Sequence, residues 1–316
     1  MQNQPTLADI RATHDRIRPY IHQTPVLTSS SINQIAGMEL YFKCENLQKV
    51  GAFKIRGGIN AVSLLMENEK PKAVATHSSG NHAQAVALAA QLFGTKAYIV
   101  MPTSAPEVKK KAVEGYGATV IPCEPTLQAR EDTLAKVVEE TGAIFIPPFN
   151  DYNIITGQAT AAVELLEEIS GLEAIIAPVG GGGLMAGTAL ATHYLSPTTT
   201  VLAGEPLGAD DAYHSLKKGE ITPRAEKPNT IADGLLTTVG ELNFPIIKEL
   251  VSEIITVTDE EIIAAMKLIW ERMKQVVEPS GAVPFAAMLK EKEKWQGKKV
   301  GVIFTGGNVD LGKLPF

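Results

Sequence analysis

Along the 316 residues, short apolar runs without polar alternation recur between longer stretches whose apolar positions return every three or four residues. Ala73-Val-Ala-Thr76, Ala97-Tyr-Ile-Val100, Thr119-Val-Ile121 and Ala143-Ile-Phe-Ile146 read as strands. Between them, His82–Phe93, Glu107–Gly115 and Leu127–Glu140 read as helices, and Pro147-Pro-Phe149 closes the set. A second set repeats the pattern. Helix Gly157–Ile169 leads to strand Ala174–Val179, four glycines and a helix from near Leu184; strand Thr200–Gly204, helix Asp259–Gln275 and strand Lys299–Phe304 follow. Uninterrupted β-branched runs are buried on both faces, which predicts parallel sheets covered by helices. The expected fold class is α/β, with two doubly wound lobes and an active site in the cleft at the carboxyl ends of their strands.

Composition narrows the function. A hydrophobic content of 45% fits an ordinary soluble globular chain, and a net charge of −6 without basic, aromatic-laced runs excludes nucleic acid as a partner. No apolar run reaches the roughly 18 residues that cross a bilayer, so no membrane association is expected. The first residues lack a charged-then-apolar leader. Two cysteines, Cys44 and Cys123, are too few for a disulfide framework, and a reduced, cytoplasmic location is expected.

The chemistry sits in the turns. Lys54 lies between Phe53 and Ile55 with glycines on both sides; an amine in an apolar crevice has a lowered pKa and attacks carbonyls. Gly180, Gly181, Gly182 and Gly183 join a strand to a helix, where successive amides cup a phosphate. The dinucleotide fingerprint fits poorly, no Gly-Lys-Ser/Thr follows, and a flexible loop remains the alternative. Ser78-Ser-Gly-Asn-His82 opens a helix, suiting a carboxylate, although a plain serine N-cap also explains it. Thr305-Gly-Gly-Asn308 follows the last strand, where a simple turn serves equally well. From spacing alone, Glu205 to Asp211 is better read as a solvated acidic turn than as oxygen ligands for a cation.

Taken together, Phe53-Lys54-Ile-Arg, Ser78 to Gln84, Gly180 to Gly183 and Thr305 to Asn308 resemble, in order and over nearly the whole chain, the fold-type II pyridoxal-phosphate enzymes of tryptophan synthase β-like fold. The serine racemase and serine/threonine dehydratase family is the nearest match. The resemblance implies Lys54 as the Schiff-base lysine, Phe53 packed on the cofactor ring, Asn81 on the ring hydroxyl, the four glycines on the phosphate and Thr305 on the pyridine nitrogen. It implies a substrate pocket of Ser78, Ser79, Asn81, His82, Arg130 and Thr237, with Lys54 and Ser79 as the catalytic pair. Ser79 stands where many dedicated threonine dehydratases carry alanine, and a hydroxyl facing Lys54 suits racemisation, which needs acid/base groups on two faces. Thr237 replaces a serine of the mammalian racemases.

The resemblance also turns Glu205, the carbonyl of Ala209 and Asp211 into a site for Mg²⁺, or Mn²⁺ or Ca²⁺. A nucleotide site is only partly traceable, through Gln84, Lys109 and Tyr116, so no ATP dependence is expected. The sequence runs only a few residues past Leu311, so the regulatory domain of biosynthetic threonine dehydratases is not expected. Residues 1–73 and 149–316 are expected to form a large cofactor domain and 74–148 a small, mobile, substrate-clamping one, in a homodimer. The expected activity is racemisation of serine together with dehydration of L-serine and L-threonine to a 2-oxo acid and ammonia. L-threo-3-hydroxyaspartate ammonia-lyase and a threonine dehydratase without racemase activity are the enzymatic alternatives, and a non-catalytic phosphate-binding module is the alternative of another class.

Overall fold

A computed structural model describes residues 4–105 and 107–316. The chain enters through α1 (Leu7–Ile17), started by a capping box in which Thr6 and Asp9 satisfy each other's backbone amides. β1 (Val26–Leu27), α2 (Ser30–Ala36), β2 (Glu39–Cys44) and α3 (Lys54–Asn68) come next. Four parallel strands, β3 (Ala73–His77), β4 (Lys96–Pro102), β5 (Thr119–Cys123) and β6 (Ile144–Phe145), then alternate with α4 (Asn81–Phe93), α5 (Glu107–Gly115) and α6 (Leu127–Thr141). They pair in the order β5-β4-β3-β6.

The second half runs α7 (Tyr152–Glu168), β7 (Ala174–Pro178), α8 (Gly183–Leu195), β8 (Thr200–Pro206), α9 (Asp211–Lys218), α10 (Asn243–Leu250) and β9 (Glu253–Val257). It ends with α11 (Asp259–Leu268), α12 (Pro279–Lys290) and β10 (Lys299–Phe304). These strands and the first two form a six-stranded sheet, β1-β2-β10-β7-β8-β9, parallel except at β1. The last strand of the chain inserts between β2 and β7, with Val302 opposite both Phe42 and Ile176. Thr305 therefore emerges at the middle of the carboxyl edge.

Each sheet is covered on both faces, as the apolar runs predict. In the larger one, α2, α11 and α12 pack over one face, and α7, α8 and α10 over the other. In the smaller, α4 and α6 lie on opposite faces. The expected helix Asp259–Gln275 is α11 followed by a wider turn at Ile269–Met273, which Lys274 stops in the left-handed region. β2, β9, α3 and α12 were not apparent in the hydrophobic pattern.

Two features fix α3 to α7. Gly57 and Gly157 let their backbones touch: a methyl on Gly157 would lie 2.4 Å from the Gly57 Cα. Beside them, the Arg56 guanidinium is fully buried and donates to Glu45 (2.7 and 2.8 Å) and to Glu164 (2.7 and 2.8 Å). Lys43 joins Glu164 at 2.6 Å, so two buried cations face two buried carboxylates. Burial opposes ionisation of Glu164, but hydrogen bonds from His14 and Arg56 hold it well below the usual carboxylate range.

Candidate active site

The segment carrying Lys54 is zipped to the segment that follows β10. The Phe53 amide donates to the Thr305 carbonyl (3.0 Å), the Gly307 amide to the Gly51 carbonyl (2.9 Å), and Ala52 bridges Gly306. Lys54 begins α3, and its ammonium donates to the Pro148 carbonyl (2.8 Å), 5.2 Å from the centre of the Phe53 ring. Burial lowers its pKa from 10.5 to about 8, against the opposing charge of Glu278. A neutral, nucleophilic amine is thus within reach near physiological pH.

Phe149, next after Pro148, braces the glycine turn. A methyl on Gly181 would sit 2.3 Å from the Phe149 ring, one on Gly183 3.1 Å from its Cβ, and one on Gly180 2.9 Å from the Leu235 Cα; Gly182 has φ +90°. The Gly181 carbonyl accepts from the Gly240 amide (3.0 Å) and from Asn243 Nδ2 (2.6 Å). This turn is held on every side, which does not fit the flexible-loop alternative. The first amides of α8 have no helical partner, so the turn is a preformed cup for a dianion. The Thr305 hydroxyl is buried without a hydrogen-bond partner. A buried orphan of this kind points to a missing ligand.

The start of α4 completes the cleft. Gly80 occupies the N-cap without any side-chain cap, and the Ser78 hydroxyl accepts instead from the Gly80 amide at 3.2 Å. The plain serine cap is therefore not what this segment forms, and the first-turn amides of α4 are open. Ser79 is half-buried. Asn81 Nδ2 donates to Glu278 Oε1 (2.8 Å), while its oxygen accepts from Asn308 (2.8 Å). The His82 ring is buried and donates from Nε2 to the Ile146 carbonyl at 3.1 Å, and its Nδ1 has no partner. Burial, then the nearby Lys54 charge, pushes its pKa down to about 3, so it is a neutral anchor for α4 rather than a cationic clamp.

Other predicted residues lie around this centre. Arg130, in the first turn of α6, acts electrostatically on His77 and keeps a buried Nε without a partner. Thr237 is exposed beyond Leu235. Of the positions compared with a nucleotide site, Gln84 is buried in α4 and Lys109 pairs with Asp233 at 3.0 Å, joining α5 to the 232–237 turn.

Glu205 leaves β8 beside the glycine turn and accepts from the amides of Ala212 (2.9 Å) and Tyr213 (2.8 Å). Burial raises its pKa to about 9 against those two amides, with Asp211 and Asp210 adding to the rise. Burial likewise raises Asp211 to about 6, and Asp211 Oδ2 is buried without a partner. Two such carboxylates suit a divalent ion. Among the described residues no three His, Cys, Asp or Glu side chains gather for a metal, so carbonyls such as that of Ala209, and water, would supply the remaining ligands.

Glu278 escaped sequence reasoning altogether. It is a buried acid whose pKa burial raises to about 8, helped by the charge of Asp233 and opposed by the Asn81 hydrogen bond. Its only sequence signal, a Glu ahead of Pro279, reads as an ordinary helix start.

A depressed-pKa lysine, a rigid phosphate cup and an orphaned hydroxyl on a parallel α/β frame define a pyridoxal-phosphate enzyme. The pyridoxal-phosphate-dependent enzyme family model matches residues 17–306, and the chain belongs to that family. It is 55% identical to serine racemase of Dictyostelium discoideum over 98% of this chain and 96% of that protein. The crystal structure of that racemase superposes with a TM-score of 0.92, covering 97% of this chain and 99% of that one. The chain is also 51% identical to beta-hydroxyaspartate dehydratase of Paracoccus denitrificans, over 99% of each. A threonine deaminase from T.th. is 44% identical, with a TM-score of 0.92 over 97% of this chain and 99% of that one. No helix among the described residues is long and apolar enough to cross a membrane.

Proposed function

We propose that this chain interconverts L- and D-serine and dehydrates L-serine and L-threonine to a 2-oxo acid and ammonia. The observation that carries the reading is Ser79, half-buried just ahead of a helix start that no side chain caps, in a chain otherwise built around Lys54. Pyridoxal phosphate fits the residues present: Lys54, Phe53, Asn81, Gly180 to Gly183 and Thr305 would hold it, and when bound it supplies the electron sink that stabilises negative charge at the substrate's Cα.

The chain's own groups do the rest. Backbone amides at the start of α4, that of Asn81 among them, hold the substrate carboxylate with Ser78, and Arg130 and Thr237 border its side chain. Lys54 takes the Cα proton from one face. Return of a proton from Ser79 on the other face inverts the centre, whereas loss of the β-hydroxyl together with the Cα proton taken by Lys54, as water, leaves a product that hydrolyses to 2-oxo acid and ammonia. The neutral Thr305 hydroxyl does not force protonation of a ring nitrogen as a carboxylate would, which moderates the sink and favours brief carbanion chemistry.

In this reading, residues 74–148 form a small domain that closes on the large one (1–73 and 149–316) and excludes water; the Lys109–Asp233 pair supports it. Glu205, Ala209 and Asp211 take Mg²⁺ or a similar ion. Exposed Leu47 and Val276, neighbours through the Asn46–Val276 hydrogen bond (3.1 Å), support a homodimer. The unpaired, buried Cys44 and Cys123 suit the cytoplasm.

Lys54→Ala is expected to abolish both activities, at least about a thousandfold, as loss of a nucleophile and base does; surviving 2-oxo acid release sinks the proposal. Ser79→Ala should lose D-serine formation by chiral chromatography while keeping most L-serine elimination. A second reading, L-threo-3-hydroxyaspartate ammonia-lyase, is favoured by the unpaired Arg130 Nε, which suits a second carboxylate. Relative turnover of hydroxyaspartate, serine and threonine separates the two.

A further inference from the structure

The two ends of an asparagine amide have nearly the same shape, so its neighbours decide which end faces a ligand. Around Asn81 the neighbours leave no choice. On one side stands Glu278 Oε1, which accepts from Asn81 Nδ2 at 2.8 Å. On the other stands an N–H of Asn308, 2.8 Å from Asn81 Oδ1. Asn308 cannot turn round, because its Nδ2 also donates to the Val50 carbonyl at 2.7 Å. It is wedged against the Lys54 segment as well: a methyl on Gly51 would meet Asn308 Oδ1 at 2.6 Å. Glu278 is equally fixed. Its amide donates to the Gly306 carbonyl (2.9 Å), its carbonyl accepts from the Gly281 amide (2.9 Å), and a methyl on Gly306 would strike Oε1 at 2.6 Å.

Asn81 opens a helix of the smaller sheet, whereas Glu278 and Asn308 belong to loops of the larger one, on either side of α12 and β10. With its oxygen turned to Asn308 and one N–H to Glu278, Asn81 keeps one free donor, its second N–H. We infer that Glu278 and Asn308 are positioning residues that set the Asn81 amide so that it offers this N–H, rather than its oxygen, to the 3-hydroxyl of the cofactor ring. This rests on the pyridoxal-phosphate reading above, in which Asn81 borders the ring. Neither residue touches substrate; each acts through Asn81.

The test is pyridoxal-phosphate binding to the apoprotein, followed by the growth of yellow absorbance. Glu278→Leu, which removes the acceptor, should weaken binding about tenfold or more. Glu278→Gln keeps an acceptor oxygen and should bind within about threefold of wild type. Asn308→Asp, which sets an acceptor against the Asn81 oxygen, should weaken binding like Glu278→Leu, and it decides the matter if the leucine variant fails to fold. A cofactor analogue methylated on the 3-oxygen gives the readout that a merely structural role would not move. Wild type should bind it less well than the parent cofactor, whereas Glu278→Leu and Asn308→Asp should discriminate little between the two.

Unchanged affinity in Glu278→Leu and Asn308→Asp overturns the inference. So does a glutamine variant as weak as the leucine one, since that assigns Glu278 a charge role. If wild type itself takes up no pyridoxal phosphate, the underlying functional reading fails instead.

Discussion

Two glycine-bearing turns leave the carboxyl ends of parallel strands and open helices, yet they are built in opposite ways. After β7, a methyl on any of Gly180 to Gly183 would press on Phe149, on Leu235, on Asn243 or on Val239. The Gly181 carbonyl is pinned by two donors. After β3, a methyl on Gly80 would meet nothing within 4 Å, and no side chain caps the helix it starts. The first turn holds its shape before any ligand arrives, and the second keeps its amides open. A tightly kept phosphate rewards a preformed site, whereas a substrate that enters and leaves at every turnover needs a cap that can be approached. In the proposed reading, packing density separates the place where the cofactor would be held from the place where the substrate would be read.

The sharpest way to break this contrast is Gly181→Ala. Overpacking against Phe149 is worth ~1–3 kcal/mol, so pyridoxal-phosphate affinity should fall up to about a hundredfold, measured by titrating apoprotein; wild-type affinity would show that the turn is not crowded. Next in size is pH. Because burial holds the Lys54 amine at about 8 rather than 10.5, the rate of cofactor capture should climb about tenfold per unit below that point and level off above it. Stopped-flow absorbance between pH 6 and 10 checks this, and a rise continuing unabated to pH 10 contradicts it. The linkage has the same sign for stability: a lysine with a lowered folded pKa makes the apoprotein gain stability as pH rises from about 8 towards 10.5. The smallest effect belongs to Gly80→Ala, whose stability should stay within ~0.5 kcal/mol of wild type while the KM for L-serine rises. A thermal melt well below wild type would mean that the cap is as packed as the cup.

Sequence reading succeeded where one physical signal dominated. Unalternated runs such as Ala174-Ile-Ile-Ala-Pro178 marked the buried strands, and the four glycines marked the turn between a strand and a helix. It failed where tertiary partners override local pattern. β2 holds Lys43 one residue before its end, which argues against a buried strand until Glu164 appears beside it. α12 contains Gly281 and Pro284 and so reads as loop, yet it packs against the large sheet. α3 hides behind Gly57 and Gly58, which serve its close approach to α7 and α4. At the site, Lys54 and the glycines drew attention through local chemistry, whereas Thr305, for which a simple turn served equally well, needed the resemblance. Glu278 was not legible, since its meaning comes from Asn81, nearly two hundred residues away in sequence, and the anchoring of the His82 ring on Ile146 likewise depends on a contact that no spacing announces.

The mount beneath Lys54 carries a lesson for anyone who would redesign this catalyst. Where the backbones of α3 and α7 touch at Gly57 and Gly157, there is no slack for a larger residue. Removing Glu45 or Glu164 would leave the buried Arg56 and Lys43 facing a single carboxylate, a loss of roughly 3–5 kcal/mol. Laboratory evolution is therefore expected to leave residues 45, 56, 57, 157 and 164 untouched and to accumulate its changes around Ser78 to Gly80 and Arg130. New substrates would be acquired by altering the reader while the reactive amine stays where it is.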